Sequence, residues 1–235
     1  MVSLLHDESK KMGIELTESQ LEKFKIYMDF LLEYNTHTNL TAIKNPDDIV
    51  IKHFLDSMAL LNYVNIKDGE KIIDIGTGAG FPGVPLKIAK KEIEMSLLDS
   101  IGKRIAFLKK LTKKLGLKCD TYNERAEELG HYKKFREKYD MAVSRAVAPL
   151  NSLCEYCMPY VKLGGIFVAL KGPDFQEELE EAKNSISTLG GELLECYKFE
   201  LPLNKGSRSI VVIKKVKSTP KEYPRKNSQI FKSPL

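Results

Sequence analysis

The amino-acid sequence predicts an α/β protein with a doubly wound, mostly parallel sheet of seven strands that follows an N-terminal helical extension. Up to about residue 65, apolar residues recur at helical spacing and glycine is almost absent. From Lys71 onward, short apolar runs alternate with helical stretches, the pattern of parallel strands joined by crossover helices. Only a short connection containing Asn204 and Gly206 separates the last two runs, which predicts a final hairpin.

Two main helices are predicted in the N-terminal segment, giving a cap of two or three helices. The first begins near Thr17, because Thr17-Glu18-Ser19-Gln20 fits a capping box. The second is expected over residues 49–63, after a polar connector. The apolar positions that mark them are Leu21, Phe24, Met28, Leu31 and Leu32 in the first helix, and Phe54, Met58 and Leu61 in the second.

The remaining helices and all the strands are predicted in the α/β part of the chain. We divide the sequence into three regions. These are a helical cap (1–65), an α/β domain (66–216) and a basic C-terminal tail (217–235). The tail contains three prolines and five basic residues, so we expect it to be extended and its removal to leave the ligand site of the domain intact. Strands are predicted over 71–76, 94–100, 118–123, 139–145, 165–171, 196–202 and 209–216, and helices over 82–90, 103–115, 150–161 and 174–189.

Composition excludes several classes of protein. With 43% hydrophobic and 29% charged residues among 235, the chain can bury a core and is not disordered. No apolar stretch approaches the roughly 20 residues of a membrane-spanning helix, and the N-terminus does not resemble a signal peptide. We therefore expect a cytoplasmic protein without membrane contacts, whose four cysteines are reduced.

Positive charge is concentrated in two places. Seven basic residues and one acidic residue lie between Lys214 and Leu235, and Ile101 to Lys118 contains seven basic residues and no acidic one. Two separated basic elements indicate a polyanionic partner, with nucleic acid first in line. Solubilising lysine-rich surfaces are the alternative at this point.

A glycine-rich loop carries the densest functional signal. Asp74-Ile75-Gly76-Thr77-Gly78-Ala79-Gly80-Phe81-Pro82-Gly83 follows an apolar strand and opens a helix, which places it where open α/β sheets bind ligands. Nineteen residues after Gly80, the second strand ends in Asp99, a carboxylate able to accept hydrogen bonds from both ribose hydroxyls of a nucleoside. A glycine turn that only packs a helix against the sheet is the competing interpretation.

The spacing of the glycines distinguishes between the classes of nucleoside cofactor that such a loop can bind. A dinucleotide site needs G-x-G-x-x-G, but the sixth position counted from Gly76 is Phe81. No Gly-Lys-Ser/Thr follows the loop, which excludes a Walker A motif. G-x-G-x-G after an acidic residue is instead the pattern seen in enzymes that use S-adenosylmethionine.

Further motifs resemble one family along essentially the whole chain, the ribosomal small-subunit RNA guanine-N7 methyltransferases, also called the RsmG or GidB family. The resemblance implies a class I methyltransferase (Rossmann-like) sheet. The matching segments, beside Asp74 to Gly83, are Asn39 to Ala42, His53 to Ser57, Leu98-Asp99-Ser100 with Lys103-Arg104, Arg125-Ala126-Glu127, Ser144-Arg145-Ala146, Ala169 to Gly172, and Tyr223 to Lys226.

The resemblance also implies roles for individual residues. S-adenosyl-L-methionine would be bound by the glycine loop, with Asp99 at the ribose and Ala126 and Glu127 at the adenine, while Arg145 would lie where methyl donor and target base meet. The partner implied is 16S ribosomal RNA or the small ribosomal subunit, without DNA, and we expect a monomer. The cofactor residues are Gly76, Gly78, Gly80, Phe81, Asp99, Ala126, Glu127 and Arg145, and the candidate substrate residues are His53, Lys171, Arg208, Arg225 and Lys226.

The implied reaction needs no strong base. Guanine N7 has an exposed lone pair, so catalysis would depend on orientation and electrostatics, with Arg145 as the candidate residue. The chain has no Asn/Asp-Pro-Pro-Tyr-like motif after the fourth strand for methylating an amine, and neither Cys154 nor Cys157 has the setting of a cysteine nucleophile. A small-molecule or protein substrate, and a ribosome-binding factor without turnover, are the other interpretations of the same fold.

Three weaker signals have plain structural explanations. Cys154 and Cys157 have the spacing of zinc ligands but lack two further ligands, so we expect no metal and a packing role. His53 fits a core or capping residue better than a substrate contact. Lys171 and Arg208 fit solvated surface residues as well as phosphate ligands.

Overall fold

The computed structural model describes residues 1–145 and 148–235 and confirms the predicted seven-stranded, mostly parallel sheet. The strand order is β3-β2-β1-β4-β5-β7-β6, and β7 runs antiparallel to both of its neighbours. Ala146 and Val147, which belong to the motif after the fourth strand, lie outside the described residues. The strands are β1 (Lys71–Ile75), β2 (Glu94–Leu98), β3 (Cys119–Tyr122), β4 (Tyr139–Arg145), β5 (Val161–Lys171), β6 (Gly191–Glu200) and β7 (Ser207–Lys215).

Helices cover both faces of this sheet. The helix predicted to start near Thr17 begins there, with a complete capping box between Thr17 and Gln20, and a further helix over Val2–Lys11 precedes it. The helices are α1 (Val2–Lys11), α2 (Glu18–Thr38), α3 (46–62), α4 (Gly83–Ala89), α5 (Gly102–Lys114), α6 (Ala126–Leu129), α7 (Leu150–Cys157), α8 (Gln176–Glu181), α9 (Lys183–Thr188) and α10 (Asn227–Lys232). Within the described part of the chain, none of them has the length and hydropathy needed to cross a bilayer.

Helix α3 is irregular in a way that the sequence did not predict. Asn45 caps its first turn, its middle section Val50–Leu55 is π-helical, and its last turn Ala59–Asn62 is a 3₁₀ helix. Single π-helical turns inside α-helices are frequent at functional sites. This one carries His53 toward the ligand cavity.

The two faces of the sheet have separate cores, and the N-terminal helices belong to one of them. Phe24 and Leu31 of α2 and Phe54 of α3 are fully buried in the same cluster as Val84 and Leu108 of α4 and α5. The other core lies under α7 and includes its two cysteines, both fully buried. Residues 1–65 therefore cover one face of the sheet directly.

The C-terminal residues differ most from expectation, because they are folded against the domain instead of extended. Arg136 donates to the carbonyl oxygens of Thr219, Pro220 and Tyr223, at 2.8 to 2.9 Å, and His131 contacts the carbonyl of Pro224 at 2.8 Å. The segment then ends in α10. Smaller differences are the break of the predicted 174–189 helix at Ala182 and the earlier starts of β5 and β6.

Candidate active site

A cavity of about 930 Å³ opens at the carboxyl ends of the parallel strands, where open α/β sheets bind their ligands. The glycine loop after β1 and the residues that follow β2, β3 and β4 form its walls, and α3, α7 and the C-terminal segment complete them. Ten of the predicted site residues line it: Gly76, Gly78, Phe81, Asp99, Ala126, Glu127, Arg145, His53, Lys171 and Arg208.

The glycines of the loop have different functions. Gly76 and Gly78 have φ angles of 70° and 61°, a conformation that favours glycine, and both line the cavity. Gly80 does not line it, because it packs toward α2: a Cβ there would lie 2.8 Å from the hydroxyl of Tyr27. That hydroxyl donates to the carbonyl of Ala79 at 2.6 Å, so α2 fixes the back of the loop.

Asp74 supports the loop from inside the sheet. Its Oδ2 accepts hydrogen bonds from the Thr77 hydroxyl at 2.7 Å and from the Gly83 amide at 2.8 Å, and the residue is fully buried. Burial raises the pKa of this carboxyl group to about 6. Its Oδ1 has no hydrogen-bond partner among the described residues, which leaves an unsatisfied acceptor beside the loop.

Asp99 joins the glycine loop to the end of β2. Its Oδ2 accepts from the amide of Gly78 at 2.9 Å and its Oδ1 from the amide of Ile101, also at 2.9 Å. Arg104 adds a contact of 3.1 Å to Oδ2. An ionised carboxylate has about four acceptor sites, so these contacts fix the group and leave capacity for ligand hydroxyls.

A second wall begins after β3 and faces α7. Ala126 and Glu127 form the first turn of α6, and Tyr160 donates to the carbonyl of Ala126 at 2.7 Å. Helix α7 packs against α6, and its Tyr156 donates to Asn227 Oδ1 at 2.6 Å, which joins the C-terminal segment to this wall.

Arg145 is the centre of a cluster at the other end of the cavity. Its Nη1 donates to Asp56 Oδ2 at 3.0 Å and to the carbonyl of Lys52 at 3.2 Å, and its Nη2 lies 3.1 Å from His53 Nδ1. The guanidinium group also lies 5.0 Å from the centre of the Phe81 ring, a cation–π distance. Helix α3 and the glycine loop together fix its orientation.

His53 is a neutral imidazole of one definite tautomer. Because an arginine can only donate, Nδ1 accepts from Arg145, and Nε2 therefore donates to the Thr41 hydroxyl at 2.9 Å. Burial, reinforced by the Arg145 charge, lowers the pKa of His53 to about 3. Its ring stacks on Phe81 with centroids 4.4 Å apart. Both ring nitrogens are thus engaged.

A His53→Gln variant is expected to lose less stability in acid than the parent chain. Below about pH 6.5 the unfolded parent protonates His53, whereas the folded parent stays neutral down to about pH 3. This group therefore lowers the parent's free energy of unfolding by up to about 1.4 kcal/mol per pH unit as the pH falls through that window. Glutamine can still accept from Arg145 and donate to Thr41 but does not titrate.

Urea unfolding at a series of pH values measures this difference. Asp74, whose pKa is raised, acts in the opposite direction, since its contribution is lost as pH rises from 3.8 to about 6. It is present in both proteins and cancels in the comparison. Parallel stability curves for parent and variant would contradict the neutral state of His53.

The remaining predicted substrate residues have different surroundings. Lys171 is buried, lies 2.6 Å from Glu178 and donates to the carbonyl of Ala148 at 3.0 Å. Arg208 lies 3.5 Å from Asp56 Oδ1, so it shares that carboxylate with the Arg145 cluster. Arg225 is paired with Glu155 at 2.7 Å, and neither Arg225 nor the exposed Lys226 lines the cavity.

Comparison with known proteins identifies the family. A family model described as rRNA small subunit methyltransferase G, or GidB, matches residues 20–211. The chain belongs to this family. A relative of that name from Alkaliphilus oremlandii is 49% identical over 234 residues, covering 99% of this chain and 98% of its own. One from Desulforamulus reducens is 47% identical over 232 residues, covering 98% and 97%.

The fold agrees with this membership. A solved structure from Listeria monocytogenes, described as a class I S-adenosylmethionine-dependent methyltransferase, superposes with a TM-score of 0.58 at 16% identity, covering 85% of this chain and 71% of the other. Such a distant likeness concerns the fold alone, and it confirms the predicted class I sheet.

Sequence reasoning about this GidB-family chain missed three residues that build the site. Asp56 pairs with both Arg145 and Arg208, Thr41 accepts from His53, and Tyr27 stacks on Phe81 at 5.3 Å. Asp56 belongs to the His53–Ser57 motif, and this position in a matching segment was the signal that could have indicated a role in the site. Its partners are supplied by two distant strands, which no local pattern indicates.

Cys154 and Cys157 lie in the core under α7 and do not line the cavity. In the described residues, no three histidine, cysteine, aspartate or glutamate side chains are grouped to hold a metal ion. Burial raises the pKa of Cys154 to about 12 and that of Cys157 well above its ordinary value, so neither forms a thiolate near neutral pH. They pack as small apolar residues in the core.

Proposed function

We propose that this chain transfers a methyl group from S-adenosyl-L-methionine to N7 of a guanine in a decoding-region loop of 16S ribosomal RNA. Membership of the rRNA small subunit methyltransferase G family supports the RNA substrate. The observation that carries the reaction type is the Arg145 cluster. In this cluster the guanidinium of Arg145 is fixed beside the glycine loop. The side chains of His53 and Asp56 are engaged in hydrogen bonds with it.

The residues around the cavity fit S-adenosylmethionine. Asp99 offers a fixed carboxylate for ribose hydroxyls. Gly76 and Gly78 are half-buried residues of the cavity wall, and their lack of side chains leaves room for the methionine portion. Ala126 and Glu127 would hold the adenine. When bound, the cofactor supplies an electrophilic methyl group on a sulfonium.

The electron balance explains why the site needs no base. The N7 lone pair forms the new N–C bond while the S–C bond breaks, its electron pair stays on sulfur, and positive charge moves to the guanine. No proton leaves N7. His53 is neutral with both nitrogens engaged, and Asp56 faces two arginines, so neither is available as a base.

Orientation is what this chain contributes to the step. Arg145 has donors that suit the O6 edge of guanine or an adjacent phosphate, and N7 must remain unblocked for attack. Asp56 and the stacked pair of His53 and Phe81 hold the guanidinium in one position. Preorganised groups of this kind lower the barrier because they need no reorientation during the reaction.

Helix α5 supplies a surface for the RNA backbone, and we call its exposed lysines the α5 basic face. The helix starts beside Asp99 at the cavity edge, so this face leads away from the site. Lys110 and Lys114 lie over the rings of Tyr34 and Phe30, at 5.3 and 5.7 Å. Its members are Lys103, Lys109, Lys110, Lys113 and Lys114.

Replacing Lys109, Lys110, Lys113 and Lys114 by glutamine is expected to weaken RNA binding and flatten its salt dependence. Each lost phosphate contact reduces the slope of log K against log salt by about 0.7 to 0.9. Filter binding across a salt series measures both quantities, and calorimetry should give an unchanged cofactor affinity.

A control variant removes three lysine charges elsewhere. Glutamine at Lys133, Lys134 and Lys138 alters an exposed turn before β4, at the opposite edge and over the other core. This variant should keep the parent's slope. Equal slopes in the α5 variant and the parent would remove the α5 basic face from the proposal.

The reaction itself is tested with labelled cofactor and undermodified small ribosomal subunits. Mass spectrometry of digested RNA should place the methyl group on N7 of one guanine. Methyl groups only on amines or on carbon five would overturn the proposal, and cofactor binding without any transfer would favour a ribosome-binding factor. Parallel reactions on protein-free RNA identify the form of the substrate.

We also propose that the chain acts as a cytoplasmic monomer. One chain supplies glycine loop, ribose carboxylate, arginine cluster and adenine wall together, so the cavity needs no second copy. Light scattering during size-exclusion chromatography of the active protein measures its mass, for which 26.6 kDa is expected.

A further inference from the structure

Phe231 lies on the wall of the cavity, and the proposed reaction gives it no role. It lies on α10, is 83% exposed, and is the most exposed large apolar side chain in the described part of the chain. Yet it lines the cavity. A phenylalanine exposed at the rim of a ligand cavity gains most by covering an apolar ligand surface, because burying such a side chain is favourable.

Helix α10 is held in place while this side chain stays uncovered. Ile230 is fully buried, Asn227 accepts a hydrogen bond from Tyr156 at 2.6 Å, and Arg225 makes an ion pair with the buried Glu155 just before the helix begins. The segment that carries Phe231 is thus anchored at three points, although the Phe231 side chain itself is exposed.

The position of α10 selects the part of the ligand that Phe231 can reach. The helix packs on α7, whose Ser152 and Tyr156 line the cavity together with Ala126 and Glu127. Arg145 is instead bonded to α3, so the methyl-transfer end is built by other elements.

We propose that Phe231 forms the outer wall of the adenine site and stacks on the adenine of bound S-adenosylmethionine. The inference rests on the proposed cofactor but not on the identity of the RNA. Aromatic side chains stack on nucleobases with useful energy because every base has a flat π face. Phe231 therefore contributes to the affinity for the cofactor. It belongs to a segment outside the sheet.

A Phe231→Trp variant tests the contact directly. The sequence contains no tryptophan, so the emission of this variant reports one position. Titration with S-adenosylhomocysteine should shift the emission to shorter wavelength and quench it, with the same Kd that calorimetry gives. A Tyr132→Trp control, on an exposed turn before β4, should not respond.

Phe231→Ala measures the contribution to binding. The Kd for S-adenosylmethionine should rise about tenfold, and that for 5′-methylthioadenosine by a similar factor, because both contain the adenine. Phe231→Tyr keeps the ring and should bind like the parent. A loss of affinity for S-adenosylmethionine alone would assign Phe231 to the methionine portion and overturn the proposal.

The outcomes separate this inference from the proposed function. If the parent chain shows no calorimetric binding of S-adenosylmethionine, the proposed cofactor fails first. If the parent binds the cofactor while the tryptophan emission of the Phe231→Trp variant stays unchanged at saturation, the adenine contact is wrong although the enzyme function stands. Emission that responds to RNA but not to cofactor would assign the ring to an RNA base and also overturn the proposal.

Discussion

An Arg145→Lys variant is expected to bind S-adenosylmethionine within about threefold of the parent affinity and to transfer methyl groups about 100-fold more slowly. The guanidinium contacts Asp56 and His53 through different nitrogens while it lies over Phe81. A lysine ammonium is a single point of charge and cannot make these contacts together. The loss should therefore fall on kcat, because the group acts on the orientation of the base.

Single-turnover methylation of saturating RNA measures this effect, and calorimetry measures cofactor binding separately. The lysine keeps a positive charge beside the buried Asp56, so the variant should fold. Arg225→Lys is the matched control: it replaces one paired arginine next to a buried carboxylate, Glu155, outside the cavity. A kcat within threefold of the parent for Arg145→Lys would remove Arg145 from the reaction.

Asp56→Asn tests the positioning of that arginine. Asparagine has nearly the same volume as aspartate but lacks the negative charge that pairs with both Arg145 and Arg208. We expect a fall in kcat that is not additive with Arg145→Lys, because both changes disturb one cluster. Additive effects in the double variant would show that Asp56 and Arg145 act independently.

The juxtaposition of the glycine loop and Asp99 was predictable from the sequence. Both follow the ends of parallel strands, and β1 and β2 are adjacent, so the same rule that places ligands at the carboxyl edge brings the two together. The same argument placed Arg145 on that edge. The order of the strands and the glycine motif therefore predicted that the glycine loop, Asp99 and Arg145 lie at one edge of the sheet.

The Arg145 cluster was not predictable in the same way. His53 lies 92 positions from Arg145, on a π-helical turn whose geometry depends on packing against the sheet. Local patterns show that α3 is amphipathic but not which side chains it brings over the edge of the sheet. Gly80 illustrates the same limit, because its neighbour is Tyr27 of a helix more than 50 positions earlier.

Charge in the C-terminal segment was the least informative signal. A count of basic residues cannot distinguish an exposed side chain from one with a buried partner. Lys215 is fully buried, with its pKa lowered to about 8 by burial, and it contacts Thr219 and Glu137. Arg225 is committed to Glu155. Part of the apparent RNA-binding charge therefore stabilises the fold.

Removal of residues 217–235 is accordingly expected to destabilise the whole domain, contrary to the expectation from sequence that the ligand site would be unaffected. Glu155 is fully buried, and Arg225 donates to both of its oxygens, at 2.7 and 2.9 Å. Deleting one partner of such a pair leaves an uncompensated charge that costs about 3–5 kcal/mol. For a chain of this length, that corresponds to a Tm lower by roughly 10 °C.

A charge variant of the intact chain separates stability from electrostatics. Glutamine at the exposed Lys217, Lys221, Lys226 and Lys232 removes charge while keeping the Arg225–Glu155 pair. We expect this variant to melt like the parent and to bind RNA with a flatter salt dependence. The truncated chain should instead melt early and bind S-adenosylmethionine more weakly, because it lacks Asn227 and Phe231 of the cavity wall. A truncated chain with parental Tm and cofactor affinity would show that the segment only carries charge.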